Sequence, residues 1–80
     1  MLKYKFGDCV RVLNIDEVCD LEIPMDAQDK DNVMYIGGVT FEVVCVVPET
    51  KVYGLRTPLN WYSLHFVREQ FLTKGDPHDY

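Results

Sequence analysis

The stretch Lys5-Phe6-Gly7-Asp8-Cys9-Val10-Arg11-Val12-Leu13 decides the fold class. Gly7-Asp8 is a turn pair. Behind it the residues alternate, with Val10 and Val12 pointing one way and Arg11 the other, which predicts a strand over Cys9–Asn14. Two later stretches offer this strand partners, Tyr53-Gly54-Leu55 and Trp61-Tyr62-Ser63-Leu64-His65-Phe66, and both carry residues that a pleated sheet favours. Working outward, the strongest strand signal lies at Val39 to Val47. Val39, Phe41, Val43, Cys45 and Val47 share one parity, while apolar Val44 and Val46 on the other indicate burial on both faces or a bend at a bulge. Pro48-Glu49-Thr50-Lys51 reads as a hairpin turn, Val52 to Thr57 as its return strand, and Trp61 to Phe66 as a further strand after a turn at Pro58-Leu59-Asn60. Val67 to Phe71 reads as one helical or 3₁₀ turn that docks Phe71 or Leu72 on the core. The expectation is an all-β chain, a small barrel of about five strands. Its predicted core is Val10, Val12, Phe41, Val43, Tyr53, Leu55, Leu64, Phe66 and Phe71.

The segment Ile15 to Asn32 interrupts this pattern. It holds Asp16, Glu17, Asp20, Glu22, Asp26, Asp29 and Asp31 against the single base Lys30, and Pro24 bars it from a central strand. It is read as a long acidic loop, of the kind that is functional or mobile in a compact domain. Val18, Leu21, Ile23 and Met25 suggest that it folds back over the strands. Order resumes at Val33-Met34-Tyr35-Ile36, and Gly37-Gly38 marks a turn, bulge or close backbone approach.

Phe6-Gly7-Asp8, Val10-Arg11-Val12, Gly37-Gly38, Tyr53-Gly54-Leu55, and Trp61-Tyr62-Ser63 through Phe71-Leu72 stand in an order that resembles small SH3-like barrels of bacteria and phages. Those domains open with a Gly-Asp turn and close with an aromatic strand, a short 3₁₀ turn and a final apolar strand. Gly37-Gly38-Val39 is similar to the glycine-valine step of KOW-type barrels. The resemblance implies an SH3-like barrel over residues 1–74 with a flexible tail at 75–80. It implies no nucleic-acid function, because the bases that nucleic-acid-binding members place around that step are absent and one barrel hosts many functions.

The composition narrows the functional classes. A net charge of −5 opposes binding through phosphates, which depends on Lys and Arg releasing counterions. The eight bases are scattered in sequence, although Lys3, Lys5 and Arg11 converge with Arg68 if the terminal strands pair. Cys9, Cys19 and Cys45 cannot all pair within one chain and form no CxxC, so they read as free thiols, two of them small buried hydrophobes in strands. That usage, with no apolar segment of signal-peptide or membrane-spanning length, predicts a cytoplasmic protein.

Candidate chemistry is sparse. Asp26-x-x-Asp29-x-Asp31-Asn32 is oxygen-rich, yet it lacks the glycine of a calcium loop and has Thr40 where the bidentate glutamate belongs, so no metal is predicted. Ser63 and His65 share a strand face without an oxyanion loop or a third group to hold a base, which leaves no catalytic residue and no cofactor. Cys19 lies among carboxylates that oppose thiolate formation. Trp61 reads as a core cap or as a surface anchor for a partner. The predicted function is a non-enzymatic protein-interaction module, in one form an acidic inhibitor docking on a basic protein surface through Asp20, Glu22, Asp26, Asp29, Asp31, Trp61 and His65. The alternative is a nucleic-acid-associated barrel in a translation or transcription assembly.

Overall fold

The computed structural model describes residues 2–57 and 60–79, with the backbone alone described at 60–63 and 79. Alternating apolar residues form the strands where expected. In chain order the elements are β1 (Cys9–Val12), α1 (Ile15–Asp20), α2 (Ala27–Ile36), β2 (Thr40–Val47), β3 (Val52–Thr57), β4 (Asn60–Arg68), a 3₁₀ turn (Glu69–Phe71), β5 (Leu72–Lys74) and a second 3₁₀ turn (Pro77–Asp79). All sheet pairings are antiparallel, in the order β4-β3-β2-β1-β5. The sheet is open: β4 and β5 form its two edges and do not pair with each other.

This corrects the expected fold twice. The chain is mixed α and β rather than all-β, and it is not a closed SH3-like barrel, so the family resemblance fails with it. The physical reason lies in 15–36, expected to be mostly loop. Its two helices bury Val18, Val33 and Ile36 in one cluster with Val10, Val12, Phe41, Val43, Tyr53, Leu55, Val67, Phe71 and Leu72. A helical layer covers the apolar face that a barrel covers by curling on itself. Each large side chain fully buried there contributes about 1.5–3 kcal/mol.

Both helices start on a reciprocal cap. The Asn14 side chain accepts the Glu17 N–H while Glu17 reaches back to the Asn14 N–H, and Asp26 and Asp29 repeat the exchange at the start of α2. Such boxes satisfy two orphan donors at once, which lets a helix as short as α1 form. Between the helices the chain turns through Glu22, whose φ is 56°, and runs on past Pro24. Gly38 (φ 85°) turns the chain into β2, and at Gly37 a Cβ would collide with the Val33 carbonyl, as the expected close backbone approach requires.

Register explains which strand residues face the helices. A bulge between Val43 and Cys45 shifts the β2–β3 ladder, so Val46 lies opposite Tyr53 and packs against the core. That is the expected bend. On β4 the expected parity is reversed. Leu64 and Phe66, assigned to the core, are 48% and 47% exposed, whereas Val67 is 2% exposed. A second register shift, between Leu55 and Thr57 on the β3–β4 ladder, separates the two ends of β4. Phe66 instead lies over Gly54, where a Cβ would come within 3.2 Å of its ring and 2.8 Å of the Cys45 Cβ. Cys9 and Cys45 are half-buried rather than buried, Cys19 is exposed, and all three are free.

Candidate interaction surface

The helical layer concentrates the acid of the molecule. Seven of the thirteen acidic residues but only one of the eight bases lie in 15–36, which gives that segment −6 and the rest of the chain +1. Three of the seven acids are engaged internally. Glu17 takes the Arg11 guanidinium in a two-pronged pair at 2.7 and 2.8 Å, and these bonds, with the Asn14 N–H, pull its carboxyl down to about 2. Asp26 and Asp29 meet Arg68 of β4 at 3.4 and 3.6 Å. Asp29 is itself 6% exposed, with one oxygen turned to the guanidinium and the other toward the Asp26 N–H. These oxygens are turned to an arginine and to cap amides.

The predicted site residues therefore separate. Asp26 and Asp29 come together, but as caps and partners of Arg68. Asp20 ends α1, Glu22 follows it, Asp31 sits on α2, and all three are exposed. His65 is half-buried, its ring edge-on to Tyr35 at 6.0 Å and to Phe41 at 5.6 Å. The side chain of Trp61 lies outside the described residues, so the choice between core cap and surface anchor does too. Asp16, one turn before Asp20 on α1, joins the exposed acids. Leu21, Met34 and Tyr35 are 63%, 63% and 81% exposed in the same layer. None of these four is among the expected docking residues, and Leu21 is expected to pack over the strands, because their grouping is visible only once 15–36 is helical.

The bases are arranged differently from the expected convergence. Arg11 is taken by Glu17, but Lys3 and Arg68 do meet, together with Lys51, around a cavity of about 300 Å³. A polar clamp holds this end of the chain. The Tyr53 hydroxyl donates to Glu69 Oε2 at 2.6 Å and accepts the Tyr4 N–H at 3.2 Å, while the Lys3 N–H donates to the same Glu69 oxygen at 3.1 Å. The Tyr4 hydroxyl closes onto the Leu72 carbonyl at 3.2 Å. The Tyr53 bond and the Lys3 N–H hold the Glu69 carboxyl below its ordinary range, whereas burial, reinforced by Glu69, pushes the Tyr53 phenol up.

No known protein family matches the chain, and no curated protein or solved structure does either. Among the described residues no helix is long and apolar enough to cross a membrane.

Proposed function

We propose that the chain is a non-enzymatic protein-interaction module that docks the acidic outer side of its helical layer on a basic protein surface. The observation that carries this reading is the segregation of charge, −6 in 15–36 against +1 elsewhere. Asp16, Asp20, Glu22 and Asp31 are exposed there and make no ion pair among the described residues. A surface with a strong excess of one sign raises the encounter rate with a partner of opposite charge, and the exposed Leu21, Met34 and Tyr35 supply apolar contact once the encounter has formed. Inhibition of a nucleic-acid-binding enzyme is one form of this activity, since fixed carboxylates compete with phosphates for the same bases.

The experiment is quantitative affinity capture from the native cell with the wild-type chain, with Asp16, Asp20 and Asp31 all changed to Lys, and with the control Glu49→Lys. Specific partners should be basic proteins that the triple variant loses and the control keeps. Their association should slow with added salt as the Debye length shrinks to about 8 Å near physiological ionic strength. The same partners recovered by all three proteins, indifferent to salt, would reject this surface.

A further inference from the structure

Away from the acidic surface, three cations line one cleft, and we propose that this cleft binds a phosphate-bearing anion. Lys3, Thr50, Lys51, Arg68, Glu69 and Gln70 surround a cavity of about 300 Å³, near the lower end of small-ligand sites. Lysine ammonium groups suit a tetrahedral oxyanion, the Arg68 guanidinium adds positive charge, and Thr50 and Gln70 add neutral donors.

Each cation is placed there by a separate element. Lys3 is brought in by the main-chain clamp on Tyr53 and Glu69, Lys51 by the β2–β3 turn, and Arg68 by its register opposite Val52, the residue after Lys51. Lys3 and Lys51 have no ion pair among the described residues. Arg68 also lines the cleft, but its guanidinium donates to Asp26 at 3.4 Å and faces Asp29 at 3.6 Å, so an anion there shares it with α2. Glu69 is the acid in the lining, and its Oε2 is already taken by the Tyr53 hydroxyl and the Lys3 N–H. It holds the wall of the cleft, and its charge also acts on Lys3 and Lys51, so a bound anion competes with it for both lysines.

The backbone of Lys51 adds an independent indication. Its φ is 53°, a left-handed conformation that glycine reaches without steric cost and lysine does not. A side chain in this conformation costs stability unless something offsets it, and Lys51 is one of the residues that line the cleft. Lys3 also lines a second cavity of about 360 Å³ together with Tyr4, Asp8, Cys9, Lys74 and Pro77. This second cavity gives room for the organic part of a phosphate monoester, with Lys74 and Asp8 offsetting each other in its wall.

The test is an amide NMR titration of the full chain with inorganic phosphate, glycerol 3-phosphate and acetate, each at ionic strength held constant with sodium chloride. Saturable shifts confined to Thr50, Lys51, Glu69, Gln70 and Lys3 are expected with both phosphates. Tighter binding of the ester would identify a monoester as the ligand, and equal binding would identify free phosphate. Lys51→Gly, which relaxes the turn, should leave the spectrum folded and weaken binding about tenfold or more, as should Lys3→Ala. Shifts that grow linearly and spread to Lys5 and Lys30 would overturn the proposal. So would acetate matching phosphate, or unchanged affinity in both variants.

Discussion

The helical layer and the sheet are stabilised by different physics. In the sheet, shape dominates: Val10 stands opposite Phe41, Val43 opposite Leu55 and Tyr53 opposite Val67, all of them buried. In the helices, six-residue α1 contributes one buried residue, Val18, and its start depends on the Asn14–Glu17 box and the bridge from Glu17 to Arg11. Helix α2 buries Val33 and Ile36, but also the charged Asp29. The sheet supplies a platform, the helices add Val18, Val33 and Ile36 to its core, and charged side chains complete their attachment. Arg11 comes from β1 and Arg68 from β4, so each helix is tied to a strand by one arginine.

The largest test of this division is Phe41→Ala. Phe41 lies in the middle of the shared core and carries the ring on which His65 rests. Truncation should cost about 3–5 kcal/mol, a large part of the roughly 5–15 kcal/mol that holds a typical domain together. Urea denaturation followed by fluorescence and by circular dichroism should show one transition moving to lower denaturant. Two separated transitions would mean that the layers unfold independently.

Asp29→Ala probes the other side of the comparison. It removes an N3 acid, one half of a capping box and one of the two carboxylates on Arg68, while leaving the apolar core intact. A loss of about 1–2 kcal/mol is expected, the range of a cap substitution. Hydrogen exchange should quicken in α2 before it quickens in β2 or β3. A uniform rise across the sheet would instead make Asp29 a core residue in the energetic sense.

The strands were legible in the sequence because their signal is alternation, and a period of two survives in pieces as short as Cys9-Val10-Arg11-Val12. The bend in β2 was visible as well, since Val44 and Val46 break the parity of Val43 and Cys45. The helices were hidden for physical reasons. Asp29 occupies the inward position one turn before Val33, so the apolar stripe of α2 begins with a carboxylate. Helix α1 is too short to show a period, and its signature is Asn14-x-x-Glu17, a capping pattern that reads as loop composition when acids are counted rather than spaced. With both helices missed, closing the sheet on itself was the remaining way to cover its apolar face. The β4 parity failed for another reason: Leu64 and Phe66 are more apolar than His65, yet the register places His65 opposite buried Leu55.

Acid titration should distinguish the two charged fasteners. The Glu17 carboxyl, lowered from 4.5 to about 2 by Arg11 and the Asn14 N–H, favours the folded state fully above its unfolded value. That contribution fades as pH falls through the window between the two values. Glu69, lowered by the Tyr53 hydroxyl and the Lys3 N–H, acts in the same direction on the clamp between the N-terminal segment and the sheet. Amide exchange on acidification should therefore quicken at α1 and at Lys3-Tyr4, and Glu17→Gln should remove the α1 component alone. Weakening of α1 in the alkaline range instead would assign its fastening to a base.

The smallest predicted effect has the opposite sign. Lys51 holds a left-handed backbone in the turn that joins β2 to β3, and a side chain in that region costs an L-residue roughly 1–2 kcal/mol. Glycine escapes this cost but gains freedom in the unfolded chain, which takes back about 0.5–1 kcal/mol. Lys51→Gly should therefore stabilise the protein slightly, by about 0.5–1 kcal/mol, with the denaturation slope unchanged. A stabilising loss of a lysine from a sheet turn would show that the residue is not retained for the fold. A destabilisation of that size would place Lys51 among the fastening charges, through its attraction to Glu69, and would extend the dependence on charge from the helices and the N-terminal clamp to the β2–β3 turn.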